Sequence, residues 1–220
     1  METTSKRNEI IYVLLLFVPL IYLLSIWKTL PASVPMHFDL NMNPDRYGSK
    51  WELVFVLPGI QLLIHLMFWM IMKIDPKGKI KQYPKMMKAV RMALTILMCV
   101  MGCVVVYVCA NQGQSLVSAK YMMAIVCVFF IALGNYLPVI KQNYFLGIRT
   151  PWTLENEQVW QKTHKLGGRL FFWGGIVLLL TALFVPSDIS TTTTISGIIV
   201  LSLIPVVYSY FLYKKGKGVA

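Results

Sequence analysis

Six stretches of this sequence stay apolar for about as long as a helix needs to cross a lipid bilayer. That pattern limits the fold more than any other feature. A span takes about 20 apolar residues, within a range of roughly 17–25. The stretches run approximately over Ile10–Trp27, Leu53–Ile74, Ala89–Ala110, Tyr121–Ile140, Leu170–Val185 and Ile195–Tyr213. The fifth is the shortest, and its Gly174-Gly175 pair suits close helix contact inside a membrane bundle. Composition agrees: 57% of residues are hydrophobic, 14% are charged, and the mean hydropathy is +0.63. An ordinary soluble domain carries about a quarter charged residues, so this chain has too little polar surface to face water on every side. The sequence predicts an all-α integral membrane protein, a bundle of about six transmembrane helices with a small extracytoplasmic cap loop and an interfacial cytoplasmic helix.

The net charge of +12 is unevenly placed. With an even number of spans, the two termini and the connections on their side together hold 17 of the 21 basic residues, and the opposite side holds only Lys28, Arg46, Lys50 and Lys120. By the positive-inside rule the basic side is cytoplasmic, and so are both termini. A basic balance also occurs in nucleic-acid binders. Here the one-sided distribution is accounted for by topology and anionic lipid headgroups, so direct nucleic-acid binding is not expected. The run that ends Ser25-Ile26-Trp27-Lys28 makes a poor small-residue cleavage site, and the first apolar stretch reads as a retained span. Cys99, Cys103, Cys109 and Cys127 fall in or beside the third and fourth stretches and read as small apolar filler, not as a metal or disulfide framework.

Two connections carry information. In the outer one, Pro31 and Pro35 favour extended chain before them, Val34, Met36 and Phe38 alternate with polar or proline positions, and Asn43-Pro44-Asp45 is turn chemistry. His37, Asp39 and Asp45 match no strong zinc spacing, so hydrogen bonding within the loop is expected and no metal or other cofactor. Trp27 and Trp51 are placed at the outer headgroup level. The basic inner connection Lys73–Arg91, with Pro76, Gly78 and Pro84, reads as a solvated connector. The connections 111–119 and 186–194 read as plain polar loops. The inner run from Asn143 to Arg169 is richer. A short interfacial helix is expected from an N-cap at Thr153 to a stop at Gly167-Gly168, with Glu155 and Glu157 near its positive end. Trp160 and His164 lie one turn apart on it, and Arg149 before Thr150-Pro151 is suited to fixing the loop to a carbonyl or carboxylate or to holding a phosphate. Within the spans, Gln61 and His65 are one turn apart and Asn135 lies in the inner half of the fourth. Such groups bond between helices or line a polar path.

The run Asn143–Arg149, then Thr150-Pro151-Trp152-Thr153-Leu154, Val159-Trp160 and His164-Lys165-Leu166-Gly167-Gly168-Arg169, resembles the signature of the SdpI family. These are bacterial membrane proteins named after an immunity protein against a secreted, membrane-active killing peptide. The outer run Val34-Pro35-Met36-His37-Phe38, with Pro44-Asp45-Arg46 and Ser49-Lys50, resembles the small N-terminal membrane domain often joined to that family, although Asn43 stands where that domain often has Gly. The resemblance implies an N-terminal membrane domain over residues 1–75 and an SdpI-like domain over 76–220. It further implies a secreted toxic peptide as partner and, on the cytoplasmic side, a transcriptional repressor recruited to the membrane. The residues singled out for partner or toxin binding are Arg149, Thr150, Pro151, Trp152, Trp160 and His164 inside, and His37, Asp45 and Arg46 outside.

Three functions compete. The first is an immunity protein or receptor in the cell membrane. The second is a small-solute or peptide transporter with a path along Gln61, His65 and Asn135. It is weakened by the lack of a carboxylate between the helix ends. The third is an enzyme using His37, Asp39 and Asp45 or His164, Glu155 and Glu157. No nucleophile or oxyanion pattern accompanies either set, and no catalytic residue is assigned.

Overall fold

The computed structural model describes residues 2–39, 43–74, 84–111 and 116–217. The lysines at 77, 79 and 81, residues 40–42 and the middle of the 111–119 connection lie outside the described residues. In chain order the elements are α1 (Glu2–Ser25), β1 (Ser33–Phe38), β2 (Pro44–Ser49), α2 (Lys50–Ile74), α3 (Pro84–Ala110), α4 (Leu116–Tyr136), a 3-10 turn (Leu137–Val139), α5 (Pro151–Glu155), α6 (Glu157–Phe184) and α7 (Ser187–Lys217). Among the described residues, five helices are long and apolar enough to span a bilayer: α2, α3, α4, α6 and α7. In α1 the apolar part, Glu9–Ser25, is shorter. Large apolar side chains point outward along these helices, among them Phe55 at 73% exposure and Phe184 at 79%. Soluble proteins rarely expose apolar surface so extensively, so these flanks face lipid.

Several expectations are corrected. The chain is not purely α, because β1 and β2 form an antiparallel hairpin with Val34 opposite Gly48 and His37 opposite Arg46. No separate interfacial helix ends at Gly167-Gly168. Instead α6 runs unbroken from Glu157 to Phe184 and takes in the fifth apolar stretch. Close packing explains the glycines: a side chain on Gly168 would strike Pro138 and the Gly134 carbonyl, one on Gly134 would strike the backbone of Phe172, and one on Gly167 would meet the Ile148 side chain. The start at Thr153 is also replaced. Thr150 caps α5 in a reciprocal box with Thr153, and Asn156 caps α6 by accepting from the Gln158 and Val159 amides. Residues 187–194, read as a loop, form the first turns of α7.

By packing the chain divides into two compact units. Of the described residues, one comprises those of 2–74 and 84–122, the other those from 123 to 217. In the first, α3 lies beyond the 75/76 boundary expected from the sequence yet groups with α1 and α2. Contacts at Glu9–Arg91 and at Pro19–Gly102 show α1 and α3 running parallel, while His65–Arg91 and Leu57–Gly102 set α2 antiparallel to them. The core of this unit is Leu23, Leu30, Val34, Leu53, Leu57, Val106 and Cys109. These residues join the hairpin to one end of the three helices. The Cys109 thiol donates to the Pro35 carbonyl at 3.3 Å. Lys50 secures the same end: its ammonium donates to the carbonyls of Trp27 and Leu30 at 3.1 and 3.3 Å and lies 4.6 Å from the centroid of the Trp27 ring.

At the other end a charged cluster ties the three helices together. Arg91 makes a fork-to-fork pair with Glu9 at 2.7 and 2.9 Å, donates from Nε to His65 Nδ1 at 3.2 Å, and stacks 4.0 Å from the Tyr12 centroid. The bidentate geometry favours Arg over Lys here. Reversing either charge alone, Glu9→Arg or Arg91→Glu, is expected to cost about 1–2 kcal/mol in detergent melts, given the partial exposure of the pair. Both changes together should recover most of that loss. A double variant that melts no higher than the worse single one would remove the pair as a direct contact.

In the second unit α6 and α7 pack antiparallel, with Gly167 meeting Pro205, Gly174 meeting Leu201 and Leu178 meeting Gly197. Gly175 lets α4 approach α6 at Ile131 and the Cys127 carbonyl. This pairing sets the inner motif against the last turns of α7.

Candidate functional site: a loop knotted around a buried histidine

The segment between α4 and α6 has little regular structure, so its backbone polar groups need other partners. They find them in side chains. The Asn143 carboxamide accepts from the Phe145 and Leu146 amides at 2.8 and 2.7 Å and donates to the carbonyls of Lys141 and Leu146. Gln142 donates to the carbonyls of Thr153 and Leu154 at 2.8 and 2.9 Å. The Thr153 hydroxyl sits 2.9 Å from the Ile148 carbonyl, and the Thr150 hydroxyl lies 3.0 Å from Ser209 Oγ on α7.

His164 is the centre of this arrangement. It is fully buried. Its Nε2 accepts from the Ile148 amide at 3.0 Å, and its Nδ1 lies 2.8 Å from the Trp160 carbonyl one turn earlier. An amide can only donate and a carbonyl can only accept, so the ring is neutral with its proton on Nδ1. Trp160, 1% exposed, stacks on the imidazole at 4.0 Å and 20°, and its indole donates to the Ile140 carbonyl at 2.7 Å. The loop passes close over the ring at Gly147, whose φ of +101° suits glycine and where any side chain would collide with His164 Nε2. Helix α6 thus holds the loop by two side chains, one taking a carbonyl and one taking an amide.

Of the inner residues singled out from the sequence, Thr150, Trp160 and His164 are buried in this knot. Arg149 is exposed and donates to the Tyr144 carbonyl at 2.7 Å. Pro151 opens α5 and is exposed, and Trp152 packs edge-on against Tyr210 of α7 at 5.1 Å. Glu155 accepts from the Tyr213 hydroxyl, while Glu157 is exposed on α6. His164 is therefore not grouped with either carboxylate. Outside this unit, His37 Nδ1 lies 2.6 Å from Asp45 Oδ1 across the hairpin, Arg46 is exposed, and the Asp39 carboxylate accepts from the Asn43 amide. Among the described residues, no group of three His, Cys, Asp or Glu converges as a metal site would need. Gln61 is buried, with no partner among the described residues for its Oε1. His65 is taken up by Arg91, and Asn135 is exposed on α4.

Sequence reasoning did not single out Asn143, Gly147 or Ser209, nor the Glu9–Arg91 pair. An Asn and a Gly a few residues apart in a short loop was the available signal for the first two. Nothing local marks Ser209, whose partner is 59 residues away.

A helical protein with several helices long and apolar enough to span is a multi-pass membrane protein. Comparison with known families matches two separate stretches of the chain. Residues 139–210 match the SdpI/YfhL protein family, and residues 14–62 match a domain of unknown function, DUF1648. The chain thus resembles a DUF1648 domain followed by an SdpI-family domain. It is similar to "Immunity protein SdpI" of Bacillus subtilis (strain 168), with 24% identity over 220 residues that cover 96% of this chain and 99% of the relative. No solved structure matches.

Proposed function

We propose that this chain is a membrane immunity protein that binds a secreted, membrane-active peptide, with six spans and both termini in the cytoplasm. The supporting observation is the end-to-end likeness to an immunity protein, across both the N-terminal domain and the loop-bearing domain. An apolar toxic peptide concentrates in the bilayer. A helical bundle already there can take it up before it permeabilises the membrane. In this reading the hairpin with His37, Asp45 and Arg46 faces outward and meets the peptide first. The knot faces the cytoplasm. Its exposed residues Arg149 and Pro151, with Trp152 beside them, present a surface to a cytoplasmic repressor, while Thr150, Trp160 and His164 position that surface from within. None of these residues carries out covalent chemistry.

The test is survival. A sensitive host expressing the protein is challenged with conditioned medium from the strain that secretes the peptide. Wild type is expected to survive where the empty vector does not. Arg149→Ala, at equal membrane abundance, is expected to protect less well. Equal killing of the wild-type and empty-vector strains would overturn the reading.

A further inference from the structure

A cleft of about 550 Å³ opens beside the knot, where the first turns of α6 meet the last turns of α7. Both helices are long and apolar enough to span, and the cleft lies at the shared end of the two, where helices of that length reach the headgroup level. Phospholipid headgroups are always present at that depth. The lining has the chemistry for one of them. Lys162 and Lys215 supply two exposed ammonium groups, and Val159 and Leu212 supply apolar wall. The one carboxylate, Glu155, is engaged by the Tyr213 hydroxyl. The first α6 amides are already capped by Asn156, so the lysines, not the helix end, supply the donors.

We propose that this cleft holds the headgroup of an anionic phospholipid, with Lys162 and Lys215 taking the phosphate and Val159 and Leu212 meeting the glycerol and upper acyl chain. The two cations against one engaged carboxylate favour an anionic headgroup over a zwitterionic one. The apolar wall and the position at the ends of two spans favour a lipid over a soluble acidic protein. The site is independent of the immunity reading, because a lipid here would serve any function of the fold.

Native mass spectrometry of the purified protein, with phosphatidylglycerol as the probe against a phosphatidylcholine background, tests it. Wild type is expected to retain one phosphatidylglycerol about tenfold more tightly than Lys162→Ala/Lys215→Ala, which lacks both ammonium groups that hold the phosphate. Lys162→Arg/Lys215→Arg is expected to keep the lipid. Lys141→Ala/Lys165→Ala, which removes the same charge elsewhere, is expected to behave as wild type. Equal retention in all variants, or equal loss in both alanine pairs, would overturn the site, the latter leaving only diffuse charge attraction. Displacement of the lipid by millimolar inorganic phosphate, or tighter binding of a soluble Glu-rich peptide in neutral nanodiscs, would overturn the assignment to lipid. Comparable melting of all variants in detergent is expected, since the substituted lysines are all exposed.

Discussion

Gly147→Ala is expected to lower the stability of the protein by about 3 kcal/mol or more, read as a large drop in its melting temperature in detergent and in its yield from membranes. Two separate costs combine. A side chain at φ +101° is strained by about 1–3 kcal/mol. The added carbon would also meet His164 Nε2, which must then move away from the Ile148 amide. An amide left without its acceptor in a partly buried setting adds about 1 kcal/mol or more. Gly147→Val should be worse still, because a β-branched residue tolerates positive φ least. A Gly147→Ala protein that melts like wild type would mean that the loop does not pass over the imidazole as described.

Trp160→Ala is expected to cost about 3–5 kcal/mol, the usual range for removing a large buried aromatic ring. Trp160→Phe separates the two things the residue does. It keeps much of the apolar contact with His164 but removes the donor to the Ile140 carbonyl. A loss of about 1–2 kcal/mol is expected there. The order wild type, Phe, Ala in melting temperature checks both parts. If Phe and Ala melt together, the indole hydrogen bond carries the whole effect and the stacking none. Protection in the survival assay should fall in the same order, because Trp160 acts on the exposed surface only by holding the loop.

Span-length apolar runs were legible because lipid imposes a length and a composition on any helix that crosses it. Helix boundaries were less legible, for reasons visible at particular residues. Gly167-Gly168 reads locally as a helix stop, yet tertiary packing uses both positions to admit Pro138, Gly134 and Ile148, and the helix continues. Ser187–Thr194 reads as a polar loop, but Ser190, Thr191 and Thr194 are buried, and the segment is helical. The motif that identifies the family was legible as a string of residues. Its organisation was not, because Asn143, Gly147 and His164 act on backbone groups that no spacing rule connects. The same holds for Arg91, which reads as a topological charge at the edge of a loop. In the structure it lies inside α3, and its pairing with Glu9 depends on two helices being brought alongside each other.

The length of α6 bears on how an event in the bilayer is felt outside it. Its 28 residues extend about 42 Å at 1.5 Å per residue, against a hydrocarbon layer of about 30 Å. Asn156, Trp160 and His164 all belong to its first two turns or the cap before them, and no proline interrupts the rod between them and Phe184. Any tilt imposed on the part within the bilayer therefore swings the projecting end as one piece, and the fastened loop travels with it.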